Sequence, residues 1–294
     1  MSNTLENEKL RICVNNYAAE LSSIYDKENN REILWSGDSK YWNRQAPILF
    51  PFVGKVKNGS YVHNGIRYVM EKQHGFARDM DFEVLSHTRD SITHRLVSNE
   101  DTQINYPFSF ELLITHKIKG KEIEIAWEVI NRGNDTMYFS IGAHPGFVVP
   151  ILENTVRRDY TLAFSGQEQL SYIQIDSTEG LAVPETGYSL EIPEGGLAIE
   201  DHMFDNDAFI FDNNQVKKVS ILMPDGKPYV TLHCEDFPSL GIWSKNDAPF
   251  VCLEPWVGRT DNLCFSGELK DKFGVEKLEA GEQFFIKHTI EVGI

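Results

Sequence analysis

Basic residues are scarce in this 294-residue chain: 28 Lys+Arg stand against 44 Asp+Glu, a formal net charge of −16. Such a surplus repels nucleic acid and anionic lipid unless a basic patch overrides it, and no run of Lys or Arg is present. No apolar stretch reaches the roughly 18 residues of a membrane span, and the start "MSNTLENEKLRICVNNYAAEL" has no signal-like apolar region. A cytoplasmic protein is therefore expected, with no nucleic-acid or membrane partner. The four cysteines, Cys13, Cys234, Cys252 and Cys264, form no CxxC pair, which argues against a zinc ribbon or a disulfide framework and for free thiols. Dinucleotide and P-loop glycine signatures are missing as well, so no cofactor and no metal are called for.

What is present is strand grammar. "ELLITHKI", "KEIEIAWEVI", "KVSILMP", "YVTLHC", "FVCLEPW" and "EQFFIKHTIEV" alternate or run β-branched between turn signals, and helical periodicity is rare. Around Gly120 the pattern reads strand, turn, strand, with Ile123, Ile125 and Trp127 on one face. These features predict an all-β fold, a large antiparallel β-sandwich of two curved sheets over residues 1–294 as one domain. Short helices are expected only in loops such as "DSKYWN".

Nine histidines are spread along the chain. His63, His87, His94, His116 and His288 have no special neighbours and read as ordinary strand or surface residues. His144 in "SIGAHPGF" is different: Pro145 biases it toward extended backbone, and Gly142 and Gly146 permit close approach to a ligand. His74 stands in "KQHGFARDMDF", four residues before Arg78. Glu254 ends the apolar run Phe250–Leu253, where a carboxyl is desolvated and its pKa rises toward that of a useful base, unless a cation such as Arg259 holds it. An imidazole and a carboxyl on opposed strand ends suit moving protons between two oxygens, as in opening and reclosing a cyclic sugar. Trp35, Trp42, Phe76, Phe147, Trp243 and Trp256 offer apolar faces for a sugar ring, although large aromatics are more often core.

The stretches "APILFPFVGKVKNGSYVHNGIRY", "QHGFARDMDF", "SIGAHPGF", "DNDAFIF" and "APFVCLEPWVGRTDN", in this order over residues 46 to 262, resemble the aldose 1-epimerase (galactose mutarotase) family, and most closely its LacX-like branch. The resemblance implies a β-sandwich with a cleft on a concave sheet. It also implies Glu254 as general base on the C1 hydroxyl, His144 as general acid for the ring oxygen, and His74 as a substrate-binding residue. Asp207, with Asp205 as the alternative, matches the aspartate that holds sugar hydroxyls. Lys55 falls where galactose mutarotases carry a sugar-binding arginine, a departure because lysine cannot reproduce a bidentate fork. Trp243 joins the substrate-binding set. "HGFAR" is closer to hexose-6-phosphate mutarotases, in which the arginine helps receive phosphate. Arg78 is followed by Asp79 and Asp81, either of which offers it an internal ion pair instead.

The expected enzyme is an aldose 1-epimerase acting on an aldohexose or hexose 6-phosphate, as a monomer or homodimer. A non-catalytic sugar-binding protein on the same fold is the main alternative. A glycoside hydrolase using Glu254 with Asp207, or a metal-dependent isomerase, follows behind.

Overall fold

The computed structural model describes residues 1–176 and 178–293. Two large antiparallel sheets carry most of the chain. In the nine-stranded sheet the spatial order is Leu197–Ala198, Thr161–Phe164, Lys218–Leu222, Pro228–His233, Gln283–Val292, Glu122–Asn131, Phe110–Lys119, Ser91–Val97 and Glu83–His87. The second sheet runs Leu181–Glu191, Gln169–Asp176, Phe209–Phe211, Ser239–Trp243, Phe250–Val257, Ile141–Ala143 and Ile48–Leu49, with Gly146–Val148 also paired to Phe250–Val257. A four-stranded sheet from residues 2 to 32 packs into the same core. The six strand-like runs all form strands, and the architecture is the expected large antiparallel β-sandwich.

Alternation explains the core. In Phe110–Lys119, Phe110, Leu112, Ile114, His116 and Ile118 are buried while their neighbours are not. That parity corrects one expectation: His94, His116 and His288 are buried, not surface residues. His116 opposes Ile125, which opposes His288, so both rings sit on the inner face of the nine-stranded sheet. They line a small internal cavity of about 30 Å³ with Ala143 and Pro145. "DSKYWN" is a turn held by the Tyr41 and Trp42 N–H groups donating to the Asp38 carbonyl, and the α-helix lies at Glu100–Asn105, capped by Asn99.

Candidate active site

The strand Phe250–Val257 is buried along its whole length, and its two faces differ. Val251, Leu253 and Val257 enter the main core, whereas Glu254 and Trp256 line a cleft of about 220 Å³ on the other side. On the neighbouring strands Gly142 opposes Trp256 and Gly146 opposes Cys252, so the register sets His144 opposite Glu254. Pro145, having no N–H, interrupts the ladder between them while its carbonyl accepts from the Leu253 N–H at 3.3 Å. His144 Nε2 lies 3.3 Å from Glu254 Oε2. His144 does follow a strand end, that of Ile141–Ala143, but Glu254 lies inside Phe250–Val257 and not at its end; the antiparallel register brings these distant segments side by side.

Aromatic rings fix the imidazole. Trp42 stacks on His144 with centroids 4.7 Å apart, and Trp243 and His74 meet it edge-on at 5.6 Å each. The Trp256 indole lies against Gly142 and Gly241 on the two flanking strands: a Cβ at either would come within 2.5 or 2.4 Å of the ring. Trp42, Trp243 and Trp256 thus border the cleft, while Trp35 and Phe147 are buried in core clusters and Phe76 packs against the main one.

His74 adopts a left-handed backbone, φ 65°, and exchanges two hydrogen bonds with Gly54: its N–H donates to the Gly54 carbonyl at 2.7 Å, and its Nδ1 accepts from the Gly54 N–H at 3.1 Å. Nδ1 is therefore the acceptor, which leaves Nε2–H as the ring's donor. Burial, then His144, holds this ring well below the usual histidine range, so it donates as a neutral imidazole.

Glu254 is buried, and no described residue donates to its Oε2. Burial pushes its carboxyl well above the usual range, and the facing charge of Asp207 adds to the rise. The Trp256 indole N–H, without a hydrogen-bond partner among the described residues, works against it. Arg259 does not hold Glu254: its Nε donates to Asp212 at 2.9 Å. Burial, then Arg78, lowers His144 to about 3. Both members of the pair thus favour their uncharged forms.

The remaining predicted residues converge on this cleft. Asp207 lines it, while Asp205 pairs with exposed His202 at 3.1 Å; of the two aspartates, Asp207 faces the site. Lys55 lines it too, its Nζ donating to the Glu179 carbonyl at 2.6 Å. Arg78 forms no ion pair among the described residues, because Asp79 is taken by Arg44 at 2.5 Å and Lys72 at 3.2 Å. Its Nη2 donates to the Gln73 carbonyl at 2.7 Å, its Nε is buried without a partner, and burial beside Arg44 lowers it to about 10. Gln73 and Thr260, which the motifs did not single out, complete the rim.

The antiparallel β-sandwich that carries this cleft is the fold of the galactose mutarotase-like proteins. Residues 1–290 match the family model described as aldose 1-epimerase, and the chain belongs to that family. Protein LacX of Lactococcus lactis subsp. lactis is 31% identical over 284 residues, 95% of each chain. A galactose mutarotase related enzyme from Lactobacillus acidophilus superposes with a TM-score of 0.93 at 32% identity, over 99% of this chain and 97% of that one. A galactose mutarotase-like protein from Lactobacillus casei gives 0.89 at 30%, over 99% and 100%. Membership of this family supports an isomerase acting on a sugar. No helix among the described residues is long and apolar enough to cross a membrane.

Proposed function

We propose that the protein interconverts the α and β anomers of an aldohexose by acid–base ring opening. The observation that carries this is the 3.3 Å contact between His144 Nε2 and Glu254 Oε2. The anomeric hydroxyl oxygen and the ring oxygen are bonded to one carbon, so a base and an acid that must serve both have to stand side by side. Glu254 takes the proton from O1 as His144 gives one to O5; the aldehyde rotates about C1–C2, and the reverse transfers close the other anomer. The pair needs one proton in total: moving it from the carboxyl to the imidazole across their contact turns the uncharged resting form into the working one. His74 donates its Nε2–H to the same oxygens, Asp207 and Lys55 hold ring hydroxyls, and Trp243 with Trp42 provides apolar walls.

Arg78 favours the phosphorylated substrate. A guanidinium left without a carboxylate at a cleft edge is suited to a dianionic phosphate on the sugar's far end. The test is polarimetry of freshly dissolved α-glucose, α-galactose and their 6-phosphates in weak buffer, with and without protein. Protein-dependent acceleration is the expected result. Tight binding of the sugars without any acceleration would leave only a sugar-binding protein.

A further inference from the structure

Cys252 stands two residues before Glu254 on the strand Phe250–Val257 and opposes Gly146, two residues beyond His144. The same register that joins the carboxyl to the imidazole therefore brings a thiol beside them. One ligand atom from each of His144, Cys252 and Glu254 lies within 4.8 Å of the others, and all three residues are buried. Zinc binds sulfur at about 2.3 Å, imidazole nitrogen at about 2.0–2.1 Å and carboxylate oxygen at about 2.0–2.2 Å, so a tetrahedral N–O edge is about 3.3–3.5 Å. The His144 Nε2–Glu254 Oε2 distance of 3.3 Å already has that length. A second observation points the same way: Glu254 Oε2 is buried without a donor from any described residue.

We propose that His144, Cys252 and Glu254 form a site for a thiophilic divalent cation, Zn²⁺ foremost, and that its occupation shuts off the catalytic pair. Nitrogen, sulfur and oxygen donors would fill three tetrahedral positions, leaving the fourth toward the cleft for water or a sugar hydroxyl. On entry the thiol proton and the proton shared by the pair leave to solvent, as metal binding to such ligands requires. The lone pairs that move protons in turnover are then engaged by the cation. Mg²⁺ and Ca²⁺, which take six or more oxygen ligands, do not fit three donors of mixed softness. The effect on turnover rests on the activity proposed above; cation binding itself rests only on the three side chains.

The experiment uses Co²⁺ as a spectroscopic probe and Zn²⁺ as the inhibitor, on the wild type and on Cys252→Ala. Co²⁺ is expected to give near-ultraviolet thiolate-to-cobalt absorption that saturates at one equivalent, is displaced by Zn²⁺, survives in Cys264→Ala and is lost in Cys252→Ala. In polarimetry, Zn²⁺ slows anomer exchange where equal Mg²⁺ does not. Its half-inhibiting concentration rises at least about tenfold in Cys252→Ala, whose metal-free rate stays within about twofold of wild type. Absence of the absorption band, or a band and inhibition that Cys252→Ala leaves unchanged, overturns the proposal. Should the protein prove unable to exchange anomers, the cobalt titration still decides the site.

Discussion

His144, in the break between Ile141–Ala143 and Gly146–Val148, faces Glu254 on the strand that pairs with both, with Nε2 3.3 Å from Oε2 and Trp42 stacked on the imidazole. Backbone pairing thus sets the acid–base geometry before any ligand arrives. Glu254 sits within a strand and His144 between two short strand segments that both pair with it, so the two groups keep their spacing more rigidly than groups on free loops would.

Glu254→Gln and His144→Ala are each expected to slow anomer exchange by about 10²–10⁴-fold, the usual range for a positioned acid or base. Because both groups act on one shared proton, the double variant is expected to lose little more than the worse single one. Polarimetry, with circular dichroism to show an intact fold, is the check; near-wild-type rates in both single variants would remove the roles assigned here.

The pH profile follows from the pair's protons. Burial lowers His144 to about 3 and raises Glu254 well above the carboxylate range, so between those limits the pair holds one proton. Activity falls in acid only as a second proton joins, and in alkali as the only one leaves. The expected kcat/KM shows no acid limb near pH 6.5, where an ordinary histidine would titrate. An acid limb centred there would show a solvated His144 and contradict the buried pair.

Arg78→Met is expected to raise KM for an aldose 6-phosphate about 10–100-fold while changing the free aldose little, since charge-assisted hydrogen bonds contribute about 1.5–3 kcal/mol. Arg78→Lys should restore only part of this, a point charge lacking the planar fork. Equal effects on both sugars would instead make Arg78 a scaffold for the Gln73 loop, whose carbonyl it already binds at 2.7 Å.

Much of this arrangement was legible in the chain. The period-two runs marked the strands because residues such as Ile123, Ile125 and Trp127 must share a buried face. "GAHPGF" and "FVCLEPW" marked the site because a titratable group at the end of an apolar run is costly without a partner or a task. Register was not legible: nothing local says that residue 144 will oppose residue 254. Nor was the partner of Asp79, since Arg44 reaches it from 35 positions away. The short helix at Glu100–Asn105 has fewer than two turns in which to show periodicity. The buried histidines did leave a signal, because His116 shares its parity with Leu112, Ile114 and Ile118.

Gly142→Ala and Gly241→Ala should act through Trp256. A methyl at either position meets the indole at 2.5 or 2.4 Å, so the ring must leave its place between the two strands. Overpacking of this kind costs about 1–3 kcal/mol. The expected outcome is a lower denaturant midpoint, altered tryptophan emission and impaired exchange even under conditions where the variant remains folded. Full activity with unchanged emission would show that the sheet shifts to accommodate the methyl.

His116 and His288 predict how the fold responds to acid. Burial lowers each to about 3, with His94 and His288 as like charges adding to the effect on His116. The surrounding faces are apolar: Ile114, Ile125, Trp127 and Ile290 line the cavity with them, and His94 on the next strand, opposite Ile114, is itself lowered to about 4. Each folded pKa lies below the unfolded value of about 6.5, so in the interval between them the unfolded chain binds more protons. Stability is therefore complete above about pH 6.5 and declines as pH falls toward the folded values, by about 1.4 kcal/mol per pH unit for each histidine. Urea unfolding at a series of pH values should show this slope, and His288→Leu should make it shallower by one proton, because leucine leaves nothing to charge in the unfolded state. An unchanged slope in that variant would mean that His288 keeps an ordinary pKa, and with it a hydration that its place between Trp127 and Phe237 does not provide.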